Sequence, residues 1–302
     1  MRILLTGASG SIGAALAPAL AREGHELRGF GRDPARVAAS LPFVSGDAIS
    51  GAGLDEALDG IDVAYFLIHS MEGNGAFEDN ERVAAQNFVA AAQRAGVPRV
   101  VYLGGLVPAQ RRLSRHLGSR LEVERILLAG LPEAVAVRAS IVIGARSRSF
   151  RFLVHLVERL NVLALPPWRE HRTQPIDVRD VVAYLVASAS TPHARGGLSL
   201  DIAGPDVVSY GEMIERIADL MLVRRRKLRL GRNVTPIVAP VAAALAGEDA
   251  GFIRPLMESL SSDLLPRDER APHLLGVRLH RFDRAVERAL RDWESIESLA
   301  AR

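Results

Sequence analysis

Short apolar runs alternate with longer amphipathic stretches through the first half of the chain, the pattern of βαβ units and a parallel sheet. The predicted strands are Arg2–Leu5, Glu26–Phe30, Pro42–Val44, Val63–Leu67, Arg99–Leu103 and Ala134–Arg138. Helical spacing fills the gaps, most clearly at Ala76–Ala95 and Leu113–Ala129. The joint Ala95-Gly96-Val97-Pro98 agrees, since glycine ends a helix and proline prevents its continuation. The second half is less regular. Phe150–Leu160 and Val178–Ser188 read as helices, Gly197–Ile202 as a strand, and Ser209–Met221 as a helix opened by a capping box of Ser209 and Glu212. Beyond Arg232, proline and glycine break the pattern. The expected fold class is α/β, a Rossmann-type doubly wound parallel sheet over residues 1–145 with 174–203 returning to it. Residues 146–173 and 204–302 are expected to form a smaller, mainly helical C-terminal substrate lobe.

Composition adds little to this and removes several alternatives. The 48% apolar and 24% charged fractions are those of an ordinary globule. The chain has no cysteine, which excludes a disulfide framework, a cysteine metal site and thiol catalysis, and fits a cytoplasmic location. The opening MRILLTGASG has too short an apolar run for a signal-peptide core and reads as a buried strand. No apolar stretch approaches the ~18 residues of a membrane span. The nearest is Val234–Ala246, broken by Pro236 and Pro240, which reads as a lid or as a peripheral membrane contact, the lid being favoured. A net charge of +3 does not suggest a nucleic-acid partner. Its one cluster, Arg224-Arg225-Arg226-Lys227, follows an apparent helix, where basic residues suit the dipole and face solvent. An anionic substrate, a lipid headgroup or a protein partner is the alternative for that cluster. No spacing of His, Asp and Glu supports a metal site.

The chemistry begins at Thr6-Gly7-Ala8-Ser9-Gly10-Ser11-Ile12-Gly13, which follows a strand and opens a helix. Glycines there permit a tight turn, close backbone approach to a pyrophosphate, and close packing of helix on strand. The phosphate charge then rests on free N–H groups at the helix N-terminus. The spacing is G-x-x-G-x-x-G, and the strand–turn–helix context is the one a dinucleotide requires. After the second strand comes Arg32, then Asp33, with Arg36 a turn on. An arginine there accommodates a 2′-phosphate, so NADP(H) is favoured over NAD(H). Asp33 either faces the ribose or caps the next turn ahead of Pro34. Asp47 reads as an adenine neighbour or a plain loop acid, and Leu67, His69 and Gly104 end strands at the edge where such sheets bind ligands.

Thr6 to Gly13, Arg32-Asp33-Pro34, Gly46-Asp47 and Asp62 to Leu67 resemble the extended and atypical short-chain dehydrogenase/reductases. Tyr65 to Met71, Tyr102 to Leu106 and Ser114 to Glu122 are similar to the NAD(P)H-binding atypical branch related to nitrogen-regulator-like proteins. The likeness continues through Gln174–Val181, Ala203-Gly204-Pro205 and Arg254-Pro255-Leu256. It implies an oxidoreductase with a Tyr-x-x-x-Lys acid/base pair and a serine after the fifth strand. This chain departs from both. The matching helix offers His116-Leu117-Gly118-Ser119-Arg120, and Gly104-Gly105 stands where the serine is expected.

Other residues are therefore the candidates for proton transfer. His116 and Arg120 lie one turn apart on one helix face, where a near-neutral imidazole can exchange a proton and the arginine can keep it neutral or bind an oxyanion. The alternative is that both are ordinary residues of a basic helix. His69 and Ser70 follow the fourth strand, while His155 and His171 read as structural. Phe150, Phe152, Leu153, Leu156, Leu163, Leu165 and Trp168 line a pocket or form plain core. The leading expectation is an NADPH-dependent reductase of a hydrophobic carbonyl, enone or quinone-like small molecule. A non-catalytic NADP(H) sensor or scaffold is the second. The third, a sugar-nucleotide epimerase or dehydratase, is weakened by the missing tyrosine.

Overall fold

The computed structural model describes residues 1–69, 77–108, 113–229, 260, 262–295 and 297. Ser70, Met71, Arg232, Val234–Ala246 and Arg254–Leu256, singled out above, lie outside them. In chain order the elements are β1 (Arg2–Thr6), α1 (Ser11–Arg22), β2 (Glu26–Gly31), β3 (Phe43–Ser45), α2 (Leu54–Leu58), β4 (Val63–Phe66), α3 (Phe77–Arg94) and β5 (Arg99–Gly105). Then come α4 (Arg115–Gly130), β6 (Glu133–Ala139), β7 (Val142–Ile143), α5 (Arg148–Arg159), β8 (Val162–Leu165), β9 (Arg172–Thr173), β10 (Ile176–Asp177) and α6 (Val178–Ser190). The chain continues through β11 (Leu198–Ile202), β12 (Val208–Ser209), α7 (Tyr210–Leu220), β13 (Arg226–Arg229), α8 (Ala271–Leu275) and α9 (Phe282–Glu294).

Seven strands form one parallel sheet in the order β11-β6-β5-β4-β1-β2-β3, the Rossmann-type arrangement expected. Parallel strands are covered on both faces, so they read as nearly unbroken apolar runs, as in Ile3-Leu4-Leu5, all fully buried. One face carries α1 and α6, whose Leu16, Leu20, Val181 and Leu185 meet Ile3, Leu5 and Val101. The other carries α2, α3 and α4, with Leu54, Phe88 and Leu127 packed on Leu4, Phe66 and Val100. On α3 the buried Ala84, Ala85, Phe88, Val89, Ala91 and Ala92 recur at helical spacing, which is why that helix was legible.

A third core joins α5, α7, α9 and β8. It takes in Phe150, Phe152, Leu153, Leu163, Leu165 and Trp168, with Leu156 against it, so these seven are core residues. Ser209 caps α7 by accepting from the Glu212 N–H at 3.1 Å.

The basic cluster follows α7, with Arg224 and Arg226 exposed and Arg225 half-buried. Helix α7 stops at Leu220, Leu222 takes a left-handed conformation at φ 59°, and Arg226–Arg229 forms a strand parallel to β8. Arg225 donates to the Val157 and Glu158 carbonyls at 2.6 and 2.9 Å, so part of the cluster closes the C-terminal end of α5.

The close packing of α1 on the sheet rests on a missing side chain. A Cβ at Gly13 would lie 2.3 Å from the Gly7 carbonyl oxygen and 2.8 Å from the Ala8 Cα. At Gly118, near the start of α4, a Cβ would meet nothing within 4 Å. Gly13→Ala is therefore expected to lower unfolding free energy by about 2 kcal/mol or more, while Gly118→Ala raises it by up to about 1 kcal/mol. Urea denaturation of the two variants beside the parent measures both signs.

Candidate functional site

Strand order reverses beside β1, which has β2 on one side and β4, reached by a crossover, on the other. Open α/β sheets bind ligands at such a switch point, outside the strand C-termini. Thr6 holds the crevice together: its buried hydroxyl donates to the Tyr65 carbonyl at 2.9 Å and accepts from the Leu67 N–H at 3.0 Å. Gly7 follows at φ +68°, where a Cβ would stand 2.7 Å from the Leu67 carbonyl oxygen. Gly10 caps α1 with no side chain, and Ser9 and Gly10 are exposed. The first-turn N–H groups of α1 are thus offered outward over a bare backbone, which suits a dinucleotide pyrophosphate.

The residues beyond β2 are laid out for the other end of such a cofactor. Arg32 and Arg36 are exposed, and Arg32 has no hydrogen bond or ion pair among the described residues. Asp33 accepts from the Ala35 N–H at 3.0 Å and caps the turn Pro34–Arg36, the capping role of the two open to it. Asp47 is half-buried and accepts from the Ile49 N–H at 2.8 Å, closing its own loop.

A cavity of about 460 Å³ runs from the start of α1 toward the start of α5. Ser11, Ile12, Leu103, Gly104 and Val178 line one part, and Ser140, Arg146, Ser147 and Arg148 another. His69, His116 and Arg120 all line it, so the fold brings together the three residues considered for proton transfer. The two imidazole rings are 5.0 Å apart between centroids, tilted by 45°. Arg120 donates to the Leu103 carbonyl at 3.0 Å with its guanidinium over the Tyr102 ring.

Behind them lies a residue the sequence reading passed over. Glu81 of α3 is buried, and its two carboxylate oxygens lie 2.7 Å from His69 Nδ1 and 2.5 Å from the Ser119 hydroxyl. Burial works to raise the Glu81 pKa, yet the hydrogen bonds and the charges of His69 and Arg120 outweigh it and hold the group at about 2. An ionised Glu81 only accepts, so His69 carries its proton on Nδ1 and presents Nε2 as an acceptor. Burial, then the Arg120 charge, lowers the His69 pKa. Burial again, then the charges of His69 and Arg120, brings His116 down to about 3. His116 Nδ1 is buried without a hydrogen-bond partner, a cost rarely accepted without a reason. The signal for Glu81 was a carboxylate on the apolar stripe of α3, three and four residues before Ala84 and Ala85. Arg146 and Arg148 had no comparable signal.

His155 and His171 stand outside the cavity lining. His155 is buried against Glu158 and Trp293, and His171 lies 3.6 Å from Asp263. Among the described residues no group of three could hold a metal ion, and no helix is long and apolar enough to cross a membrane.

Residues 7–130, which contain the glycine cradle, Glu81 and both site histidines, match the NAD(P)H-binding family. Over that first part the chain is similar to NAD(P)H-binding proteins. The chain is 28% identical over 174 residues to the mitochondrial NADH dehydrogenase [ubiquinone] 1 alpha subcomplex subunit 9 of Arabidopsis thaliana, covering 57% of this chain and 42% of that one. It is 36% identical over 113 residues to a 3-beta-hydroxysteroid dehydrogenase of Mycolicibacterium neoaurum, covering 33% and 31%. The chain thus spans less than half the length of these curated relatives. Among solved structures, MoeE5 in complex with UDP-glucose and NAD aligns with TM-score 0.73 at 22% identity over 98% of this chain and 99% of that one. TunA, an NAD-dependent NDP-hexosamine 5,6-dehydratase, aligns with TM-score 0.72 at 18% identity over 99% of both. At those identities the likeness is one of fold.

The histidine at position 116 generates a pH test. Its folded pKa lies below its unfolded value, so the unfolded chain takes up the proton first. Its contribution is fully present above about pH 6.5 and drains away as pH falls toward 3. Between pH 7 and 5 the parent is expected to lose roughly 1–2 kcal/mol more stability than His116→Phe. Chemical denaturation at both pH values measures this, and parallel losses would show that His116 is not held neutral.

Proposed function

We propose that the protein is an NADP(H)-dependent oxidoreductase acting on a hydrophobic carbonyl, enone or quinone-like small molecule. Residues 146–173 and 204–302 serve as its substrate lobe. The observation that carries this is the position of the cavity, which continues from the glycine cradle to the His69–His116 pair with a largely apolar wall. Gly7, Ser9, Gly10, Ser11, Ile12 and Gly13 take the pyrophosphate. Thr6 acts by clamping β1 to β4. Arg32 takes the 2′-phosphate, with Asp47 at the adenosine end and Leu67, His69 and Gly104 along the nicotinamide side.

When bound, the cofactor supplies the hydride. The residues of this chain supply orientation and the proton. His69, with its tautomer set by Glu81, exchanges a proton at Nε2 with the substrate oxygen. His116 lies beside it, and Arg120 steadies charge on that oxygen. A neutral imidazole is the base form, suited to accept the proton of an alcohol. In the reducing direction it must first be protonated, so carbonyl reduction is expected to quicken as pH falls from 8 to 6, approaching about tenfold per unit. His69→Gln is expected to flatten that profile and lower kcat about a hundredfold. A profile already flat in the parent would remove His69 from the proton path.

A second reading, a non-catalytic NADP(H) sensor, draws on the absence of Tyr-x-x-x-Lys at His116–Arg120. The two part in one experiment. The protein is titrated with NADPH and NADH by nicotinamide fluorescence, then screened for cofactor oxidation with aldehydes, enones and quinones. Tight NADPH binding with turnover supports the oxidoreductase, and tight binding without turnover supports the sensor. Arg32→Ala is expected to weaken NADPH about tenfold while NADH barely changes. Equal loss for both cofactors would dismiss the 2′-phosphate role.

A further inference from the structure

We propose, on the basis of the oxidoreductase reading above, that His116 is a second catalytic residue, a neutral donor whose Nε2–H bonds the same substrate oxygen on which His69 acts. The two rings line one cavity with their centroids 5.0 Å apart. In His69 the Nδ1 lies 2.7 Å from the Glu81 carboxylate, so its proton is held there and Nε2 offers a lone pair. His116 has no hydrogen bond among the described residues, and its Nδ1 is shut away from solvent while Nε2 is not. A neutral imidazole carries one proton. Placed on Nδ1, that proton would make a buried N–H with nothing to bond, the costlier orphan. Placed on Nε2, it is open to pairing and only a lone pair stays unmatched. The two histidines therefore hold opposite tautomers, His69 offering an acceptor and His116 a donor.

A donor beside an acceptor fits one kind of group. An alcohol oxygen donates its hydrogen to His69 Nε2 and accepts from His116 Nε2–H, and the carbonyl oxygen formed from it keeps the second bond. Bonds of about 2.9 Å let one oxygen bridge nitrogens up to roughly 5.8 Å apart, the scale set by the spacing of the rings. The charged and titratable groups that act on His116 are His69 beyond β4, Glu81 on α3 and Arg120 on its own helix. Glu81 has its oxygens engaged by His69 and Ser119. Burial, then the charges of His69 and Arg120, oppose a second proton on His116, so the ring remains a neutral donor well below neutral pH. A neutral imidazole held in this way polarises a carbonyl through its N–H without giving the proton up. In reduction the carbonyl carbon gains the cofactor's hydride and the oxygen gains the proton of a charged His69. His116 ends the step with the proton it began with.

Two measurements test this. Nitrogen-15 NMR of the protein labelled at histidine and loaded with NADP+ reads the tautomers directly. His69 is expected as the Nδ1–H form and His116 as the Nε2–H form, each assigned by its loss in His69→Gln or His116→Gln. The second measurement follows NADPH oxidation with 2-naphthaldehyde, 2-cyclohexenone and 1,4-naphthoquinone as probes. His116→Phe is expected to lower kcat about a hundredfold, the effect of losing one such donor. His116→Gln, whose amide can place an N–H where Nε2 stood, is expected to lose about fivefold or less. Both variants should keep the parent's rise in rate as pH falls, because the proton behind that profile belongs to His69. An Nδ1–H or charged His116 in the spectrum, equal losses in the two variants, or a flattened profile in either would overturn the donor role and leave the oxidoreductase reading standing. A parent that binds NADPH but turns over none of the probes would overturn the oxidoreductase reading and the donor role together, whatever the tautomers.

Discussion

The contact between the first turn of α1 and the Gly7 carbonyl governs everything downstream. The helix approaches so closely because Gly13 has no side chain, and it can begin where it does because Gly7 turns the chain in a left-handed conformation. The Thr6 hydroxyl joins the ends of β1 and β4 on the other side of the same crevice. These few groups define an edge of backbone with N–H donors facing out and no side chain to block them. Phosphate binding at such an edge needs no charged residue, since aligned peptide dipoles supply the field.

From that edge the geometry of the histidines follows. His69 stands three residues past the end of β4, and α3 and α4 pack on the same face of the sheet, so Glu81 and Ser119 converge on one carboxylate–imidazole unit. A buried carboxylate is costly unless its oxygens are bonded, and Glu81 has both engaged. The arrangement fixes which nitrogen of His69 bears a proton. Tyr102 and Arg120 tie β5 to α4, the Tyr102 hydroxyl donating to the Arg120 carbonyl at 3.1 Å and Arg120 donating to the Leu103 carbonyl. His116 and Arg120, one turn apart on α4, thus both line the cavity.

Legibility in the sequence tracked the strength of the physical signal. The main-sheet strands begin or end within a residue or two of the apolar runs, because parallel strands buried on both faces leave unbroken runs. The two-residue strands β7, β9, β10 and β12 escaped notice because two residues carry no period. Strand β13, which takes in Arg226 and Lys227 of the basic cluster, was not predicted, because a short basic run carries no apolar period. His69, His116 and Arg120 were legible as reactive types at strand ends or helical spacing. Glu81 was masked by its helix, and Arg146 and Arg148 by a loop whose neighbours only the fold reveals.

The cavity's electrostatics bear on the protonation state of its histidines. A tyrosine acid/base depends on a nearby cation to bring its high pKa toward neutrality, whereas histidine begins near neutrality and is driven lower by the same cations. With Arg120 and Arg148 acting on His69, and Arg120 on His116, both imidazoles are held in the neutral form.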